Sequence, residues 1–177
     1  MARVTHVEKA RKDQGPCTKC SAEIKRGDPY CWWKFLRGPR YARCAKPACA
    51  PQPSDLTRSE FYSTLLDLGS RLQGALDDFR NSGDASDLSS ELNDIASELR
   101  TLGEECQEKH DNMPEGLREG DTGQLLQTRA EECEGKAEEL ESAASTLDGF
   151  EEPEDEDDKE SARDDAASEA DIDLSID

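Results

Sequence analysis

The 177-residue chain is strongly acidic, with 22 Lys+Arg against 42 Asp+Glu and a formal net charge of −20. Only 33% of its residues are hydrophobic and 5% aromatic, which is too little apolar material for one large core, so part of the chain is expected to stay disordered. No stretch approaches the roughly 20 apolar residues of a membrane span, and the first fifteen residues lack the apolar run of a secretory signal. We therefore expect a cytoplasmic protein without a membrane segment.

The charge is unevenly distributed along the chain. Residues 1–50 contain 12 Lys+Arg and 4 Asp+Glu, a net charge of +8, whereas residues 51–177 contain 10 and 38, a net charge of −28. A basic head on an acidic body indicates two separate roles, or one role and its regulator.

Four cysteines of the basic head form two close pairs, Cys17-x2-Cys20 and Cys44-x4-Cys49, which are separated by 23 residues. Two such pairs are typical of a structural zinc site, because each pair occupies a tight turn and the intervening hairpin brings the four thiolates to one point. A domain of this size buries little apolar surface, so one structural Zn²⁺ should supply much of its folding free energy. Disulfides are a poorer alternative because nothing directs the chain to an oxidising compartment, and an iron–sulfur cluster stays open.

The segment between the two pairs predicts a β-hairpin. Its first strand covers residues 30–35, the turn is Arg37-Gly38-Pro39, and the return strand covers residues 40–43. Cys31 lies on the first strand, where a buried small hydrophobic residue is the default, so we leave it out of the ligand set. Cys106 and Cys133 lie on apolar helix stripes and are interpreted as core residues.

A family resemblance is carried by the run Cys17-Thr-Lys-Cys20-Ser-Ala-Glu-Ile24-Lys-Arg-Gly27-Asp28-Pro-Tyr30. It resembles the zinc finger of poly(ADP-ribose) polymerases and of related DNA-nick-sensing ligases over about residues 15–50. That family ends its motif in His-x2-Cys and has a longer hairpin, whereas this chain has Cys44-x4-Cys49. The resemblance implies a zinc-bound hairpin that recognises DNA breaks.

A second resemblance concerns the whole layout, which is similar to that of small uncharacterised phage-encoded proteins. It is most marked over residues 112–126, Asn-Met-Pro-Glu-Gly-Leu-Arg-Glu-Gly-Asp-Thr-Gly-Gln-Leu-Leu. This resemblance implies a viral origin, and hence the cytoplasm of a host cell, but no activity.

Basic and aromatic residues interleave around the cysteines. Cations would contact phosphates, and an exposed ring could stack on an unpaired or terminal base. Strand alternation sends Trp32 and Trp33 to opposite faces, so one of them is expected in the core. The candidate nucleic-acid-binding residues are Lys19, Lys25, Arg26, Trp32, Lys34, Arg37, Arg40, Tyr41 and Arg43.

Residues 54–148 predict three helices. Apolar residues recur in alternating steps of three and four over residues 61–79, 88–106 and 126–147, the pattern of helices in a slim bundle or coiled coil. Because the first connection is short, the first two helices should be antiparallel neighbours. We expect an antiparallel three-helix bundle, and a long hairpin that forms a homodimer is the alternative. The Pro- and Gly-containing connection at 110–123 is expected to be a wide 14-residue turn.

The last part of the chain, residues 149–177, is predicted to be a disordered acidic tail. Its residues 151–177 include 14 Asp+Glu and only 2 Lys+Arg, and their mutual repulsion opposes compaction. The predicted fold class is therefore small α+β. It comprises a zinc-finger domain over residues 1–53, a helical bundle over residues 54–148 and the disordered tail.

These features favour a zinc-dependent, non-catalytic nucleic-acid-binding protein that recognises DNA or RNA by shape or ends. Its acidic tail would tune affinity by competing for the basic face. The alternative is a protein-interaction adaptor whose zinc hairpin, helical bundle or acidic tail docks protein partners. A third interpretation makes the acidic body a DNA mimic. An enzyme is disfavoured because the sequence has no open metal site, phosphate loop or nucleophile–base pair.

Overall fold

The structure is a computed structural model that describes residues 1–82 and 84–176. The chain forms two compact units, residues 1–67 and residues from 68 to the C-terminus. Short antiparallel strands come first and helices follow, so the small α+β class predicted from the sequence is confirmed. Within the described ranges, no helix has the length and apolar character needed to cross a bilayer.

The first unit is built on a three-stranded antiparallel sheet. Strands β1 (Thr5–Val7), β4 (Tyr30–Lys34) and β5 (Arg40–Cys44) lie in the order β1-β4-β5. The β4–β5 hairpin matches the predicted strands to within a residue at each end. Strand β1 was not predicted, because three residues with one β-branched residue at each end carry almost no periodic signal.

A second, two-stranded ladder joins β2 (Gly15–Pro16) to β3 (Glu23–Ile24). Gly15 has φ = +83° and Gly27 has φ = +96°, so each occupies a backbone conformation that favours glycine. The Gly27 N–H donates to the carbonyl of Ala10 at 2.8 Å. The ladder therefore closes the segment that carries the first cysteine pair, and the bond from Gly27 ties the chain after β3 to Ala10.

The two faces of the three-stranded sheet are different. On one face a small core contains Ala10, Cys17, Ile24, Tyr30, Ala42 and Cys49, with Val7, Trp32 and Cys44 partly buried against it. On the other face Trp33 is only 2% exposed and stacks on Tyr41 with ring centroids 5.6 Å apart. Alternation along β4 thus sends Trp33 to the interior and leaves Trp32 half-buried, as the sequence predicted for one of the two.

Three long helices follow: α1 (Glu60–Ser82), α2 (Ala85–Asp111) and α4 (Asp121–Leu147). Asp84 caps α2 by accepting hydrogen bonds from the N–H groups of Ser86 and Asp87. Every leucine and isoleucine of the predicted stripes in α2 is buried, and Cys106 and Cys133 are 2% and 0% exposed, as expected for core residues.

Helices α2 and α4 run antiparallel, because the first turns of α2 meet the last turns of α4. The Ser89 hydroxyl donates to the Ala144 carbonyl at 3.2 Å. Further along, Arg100 forms an ion pair with Glu141. Close approach is possible at Gly103, where a Cβ atom would lie 3.1 Å from the Cβ of Cys133. Glycine at this position thus lets the helices pack closely.

The connection between α2 and α4 is more ordered than the wide turn predicted for residues 110–123. Helix α2 continues to Asp111, and a one-turn helix α3 (Glu115–Arg118) fills the connection. The Arg118 side chain donates to the carbonyls of Met113 at 2.9 Å and Asp111 at 2.5 Å. These bonds satisfy the carbonyl of the last residue of α2 and one carbonyl in the connection, and so close the turn.

The C-terminal segment differs from the disordered tail that composition predicted. Residues Glu156–Ala170 form helix α5, and Leu174 and Ile176 beyond it are buried. Phe150 packs edge-on against Phe79 with ring centroids 5.5 Å apart. A few apolar residues thus hold the acidic segment against the helices of the second unit. The charge of the segment does not indicate where these apolar residues pack.

Candidate metal centre

Cys17, Cys20, Cys44 and Cys49 lie together in the first unit. Their Sγ atoms all lie within 4.8 Å of one another, so they are close enough to bind one metal ion. A tetrahedral zinc site with Zn–S bonds of 2.3 Å requires sulfur–sulfur separations of about 3.8 Å. The Cys20 and Cys44 Sγ atoms are 3.7 Å apart, which matches that requirement.

The first pair is held by a tight turn between β2 and β3. The Ser21 N–H donates to the Cys17 carbonyl at 2.9 Å, and the Cys17 N–H donates to the Ala22 carbonyl at 2.8 Å. Ser21 has φ = +57°, the left-handed conformation that reverses the chain directly after Cys20. This local geometry holds both thiols on one side of the turn.

The second pair comes from two different elements. Cys44 ends strand β5, and Cys49 ends a 3₁₀ turn over Pro47–Cys49. The Cys49 N–H donates to the Lys46 carbonyl at 2.8 Å. Across the cluster, the Cys44 N–H donates to the Cys17 Sγ at 3.4 Å, so the backbone of β5 contacts the first pair directly.

The four thiols are not equivalent. Burial alone would raise the pKa of Cys17, but N–H groups of Cys20, Cys44 and Lys19 donate to its sulfur and lower its pKa to about 6. Burial and the three neighbouring thiols raise the pKa of Cys49 to about 12. Hydrogen bonds within the protein thus favour the thiolate of Cys17. Ionisation of all four thiols requires a bound cation such as Zn²⁺ or iron.

The other three cysteines lie outside this cluster. Cys31 is 5% exposed, and burial raises its pKa. Burial also raises the pKa of Cys106, and that of Cys133 to about 12. Protonated, buried thiols behave as small apolar residues, in agreement with their interpretation from the sequence.

Most of the predicted nucleic-acid-binding cations are accessible. The side chains of Lys19, Lys25, Arg26, Lys34 and Arg37 are exposed. Together they form a set of unburied positive charges on the unit that holds the cysteine cluster.

Arg40, Trp32 and Tyr41 also make contacts within the first unit. The Arg40 guanidinium lies over the Trp32 ring at 4.2 Å and donates to the Tyr30 hydroxyl at 2.8 Å. Trp32 is half-buried beneath it. Tyr41 is half-buried and stacked on Trp33. These rings are therefore partly covered in the structure, although Arg40 itself remains exposed.

Arg43 is the residue that departs most from its expected role. It is only 8% exposed and forms an ion pair with Asp55. Its Nη1 also donates to the Ala50 carbonyl at 3.1 Å. Alternation along β5 places Arg43 on the same face as Tyr41, against Trp33, so it faces the interior and is not available to a phosphate.

Asp55 and Leu36 were not singled out from the sequence. Asp55 accepts the Gln52 N–H at 2.8 Å in a capping box at the 3₁₀ turn Pro53–Leu56, and its spacing of three residues from Gln52 was a usable signal. Leu36, at the tip of the β4–β5 hairpin, is 93% exposed. No pattern distinguishes such an exposed tip residue from a buried strand residue.

Comparisons with protein-family models, curated proteins and solved structures find no match to this chain. The resemblance to the poly(ADP-ribose) polymerase finger therefore depends on residues 15–50 alone. The geometry of the four thiols and the placement of the cations are independent of that resemblance.

Proposed function

We propose that the protein is a zinc-dependent nucleic-acid-binding protein that binds without catalysis and recognises DNA or RNA by shape or ends. The observation that carries this proposal is the combination of a four-thiol cluster with exposed cations on the same small unit. The metal would be Zn²⁺, since an all-cysteine set in two close pairs is its usual structural site. We also infer a cytoplasmic location for the protein, because the thiols must stay reduced to bind the metal.

The metal's role in this proposal is structural. The first unit has short strands and a small apolar core, so ordering the two cysteine turns depends on a further source of free energy. Binding one ion to the four thiolates supplies it. The exposed cations then sit on strands and turns of a unit that the metal has ordered, which reduces the ordering that binding a phosphate backbone requires.

Shape or end recognition follows from what the first unit presents. No α-helix suited to the major groove lies among residues 1–59, and the exposed residues are lysines and arginines that suit phosphates. The half-buried Trp32, covered by Arg40, offers a ring for a terminal base once the guanidinium moves to a phosphate.

The alternative function is a protein-interaction adaptor. It is favoured by Leu36, which is 93% exposed at the hairpin tip between cations at positions 34 and 37. An exposed leucine between positive charges also fits an acidic protein surface with an apolar pocket. The salt dependence of nucleic-acid binding separates the two functions.

The test is a set of anisotropy titrations of the zinc-loaded full-length protein with blunt duplex, nicked duplex and single-stranded DNA. We expect binding to nicked or single-stranded probes, and a double substitution Lys34→Ala/Arg37→Ala that reduces the slope of log K against log salt by about 2. Lys109→Ala removes an exposed cation of α2 and should leave affinity unchanged. Absence of binding to all three probes at about 50 mM salt would exclude DNA as the ligand and favour the adaptor.

A further inference from the structure

We propose that Arg43 and Asp55 form a positioning pair for the metal centre. The pair lies on the opposite face of the sheet from the thiols and fixes the turn that carries Cys49 against the strand that carries Cys44. The inference rests on metal binding by the cysteine cluster and is independent of any nucleic acid.

The contacts of Arg43 connect the two ends of the Cys44–Cys49 segment. Arg43 directly precedes Cys44, and its Nη1 donates to the carbonyl of Ala50, which directly follows Cys49, at 3.1 Å. The same Nη1 donates to the Asp55 Oδ2 at 2.7 Å, and Nη2 pairs with Oδ1. One guanidinium thus holds both flanks of the second cysteine pair.

Few other bonds fix this segment. Within the turn, the Cys49 N–H donates to Lys46 at 2.8 Å and the Ala50 N–H to Pro47 at 3.0 Å. Both bonds are local, so neither sets the distance from the turn to β5. Pro51 and Pro53 lack an N–H and cannot donate a backbone bond to the strand. The bond from Arg43 to the Ala50 carbonyl is therefore the contact that sets the distance between the Cys49 turn and β5.

The carboxylate partner is itself held in place. Asp55 accepts the Gln52 N–H at 2.8 Å in the capping box, so its two oxygens have a fixed orientation toward the strand. A planar guanidinium matches such a carboxylate with two parallel bonds, which an ammonium cannot do. The pair is thus specific to arginine.

The surroundings of the pair make it sensitive to change. Arg43 lies over the Trp33 ring at 5.1 Å, and Trp33 is 2% exposed. Within the described part of the chain, the Arg43 Nε is buried without a hydrogen-bond partner. The charge is therefore desolvated, and its compensation depends on the two Nη atoms. Removing Asp55 would leave it uncompensated, which favours movement of the turn and of Cys49.

The experiment measures Zn²⁺ affinity of the full-length protein by competition with a chromophoric chelator. We expect Asp55→Asn and Arg43→Lys each to weaken Zn²⁺ binding by about 10- to 100-fold, the usual effect of groups that orient metal ligands. The double variant should bind Zn²⁺ no more weakly than the weaker of the two single variants, because both substitutions break the same ion pair. The Co²⁺-loaded protein supplies a second readout: both variants should show an altered thiolate-to-cobalt absorption band.

Two control variants separate positioning from general destabilisation. Arg40→Lys alters an exposed arginine of the same strand that contacts Trp32 and not the Cys44–Cys49 segment, and it should bind Zn²⁺ within about twofold of the wild type. Ile24→Val removes a buried methylene from the core on the thiol face, which also contains Cys17 and Cys49, and should leave the Co²⁺ band unchanged. Zn²⁺ affinities within about twofold of the wild type for Asp55→Asn and Arg43→Lys would overturn the proposal. An altered band in Ile24→Val equal to theirs would also overturn it.

Discussion

At the residue scale, identical side chains in one small unit have different roles because of where the backbone places them. The Cys20 Sγ belongs to the four-thiol cluster, whereas Cys31 is buried on β4 outside it. Spacing in the sequence was sufficient to separate them, since metal pairs recur at short intervals and Cys31 has no close partner. Arg43 could not be assigned in the same way, because its exposure depends on Asp55, twelve residues away.

The difference between these cysteines predicts opposite outcomes of two substitutions. Cys20→Ser removes one thiol of the four-cysteine cluster at an exposed position, so it should weaken binding of the proposed Zn²⁺ by about a hundredfold or more with little loss of packing. Cys31→Ala removes a buried sulfur at a cost of about 1–2 kcal/mol in unfolding free energy and should retain the ion. Zinc content after dialysis against a chelator, read with chemical denaturation, measures both. Loss of zinc from Cys31→Ala alone would contradict the assignment of the cluster.

At the element scale, periodicity predicted the helices well, and composition predicted the connection between α2 and α4 poorly. Apolar residues in steps of three and four specify a buried stripe, so α2 and α4 were predictable. Their exact ends were not, because each helix begins several residues before its first predicted apolar position. The predicted connection, residues 110–123, contains Pro114 and three glycines, which is typical of a loop. In the structure Pro114 is the N-cap of α3, and Gly123 is buried in the first turns of α4. Glycine there has a packing role that composition does not reveal.

Gly123 provides a test of this packing. A Cβ atom at position 123 would overlap the backbone carbonyl of Arg118, and a backbone group has little freedom to move. Gly123→Ala should therefore destabilise the protein by about 1–3 kcal/mol despite the better helix propensity of alanine. Gly116→Ala is the matched control, since a Cβ there meets nothing within 4 Å. Urea denaturation followed by circular dichroism compares the two variants, and equal stabilities would contradict the close approach.

At the scale of the whole molecule, both charge and apolar contacts determine whether a segment is ordered. The charge can be read from the sequence, but the apolar contacts cannot. The net charge of residues 149–177 is visible at once and predicts disorder. The residues that oppose it are few: Phe150 contacts Phe79, and Leu174 and Ile176 are buried. The ion pair between Arg80 and Asp164 and the hydrogen bond that Arg163 donates to the Asn81 carbonyl add to the attachment. So few contacts can be identified only once the positions of the helices that they pack against are known.

The charge of this segment leads to a prediction about ligand affinity. Residues 151–177 contribute 14 acidic and 2 basic side chains, or a net charge of −12 out of −20. A nucleic acid is repelled by this charge at distances up to the Debye length, about 10 Å at 0.1 M salt. Deleting residues 149–177 should therefore raise nucleic-acid affinity at low salt, by a factor that diminishes as salt increases. Anisotropy titrations of the full-length and truncated proteins at two salt concentrations measure this.

A second variant distinguishes charge from packing, because the truncation also removes Phe150 and the buried residues after α5. Replacing the exposed carboxylates Glu151, Glu154, Asp155 and Glu160 by their amides keeps those anchors and removes four negative charges. If repulsion controls affinity, this amide variant should lie between the wild type and the truncation, with the smaller salt-dependent gain. If only the truncation binds more tightly, the gain comes from apolar surface that α5 covers, and electrostatic repulsion by the segment is excluded. If neither variant gains affinity at low salt, the acidic segment has no regulatory role in nucleic-acid binding.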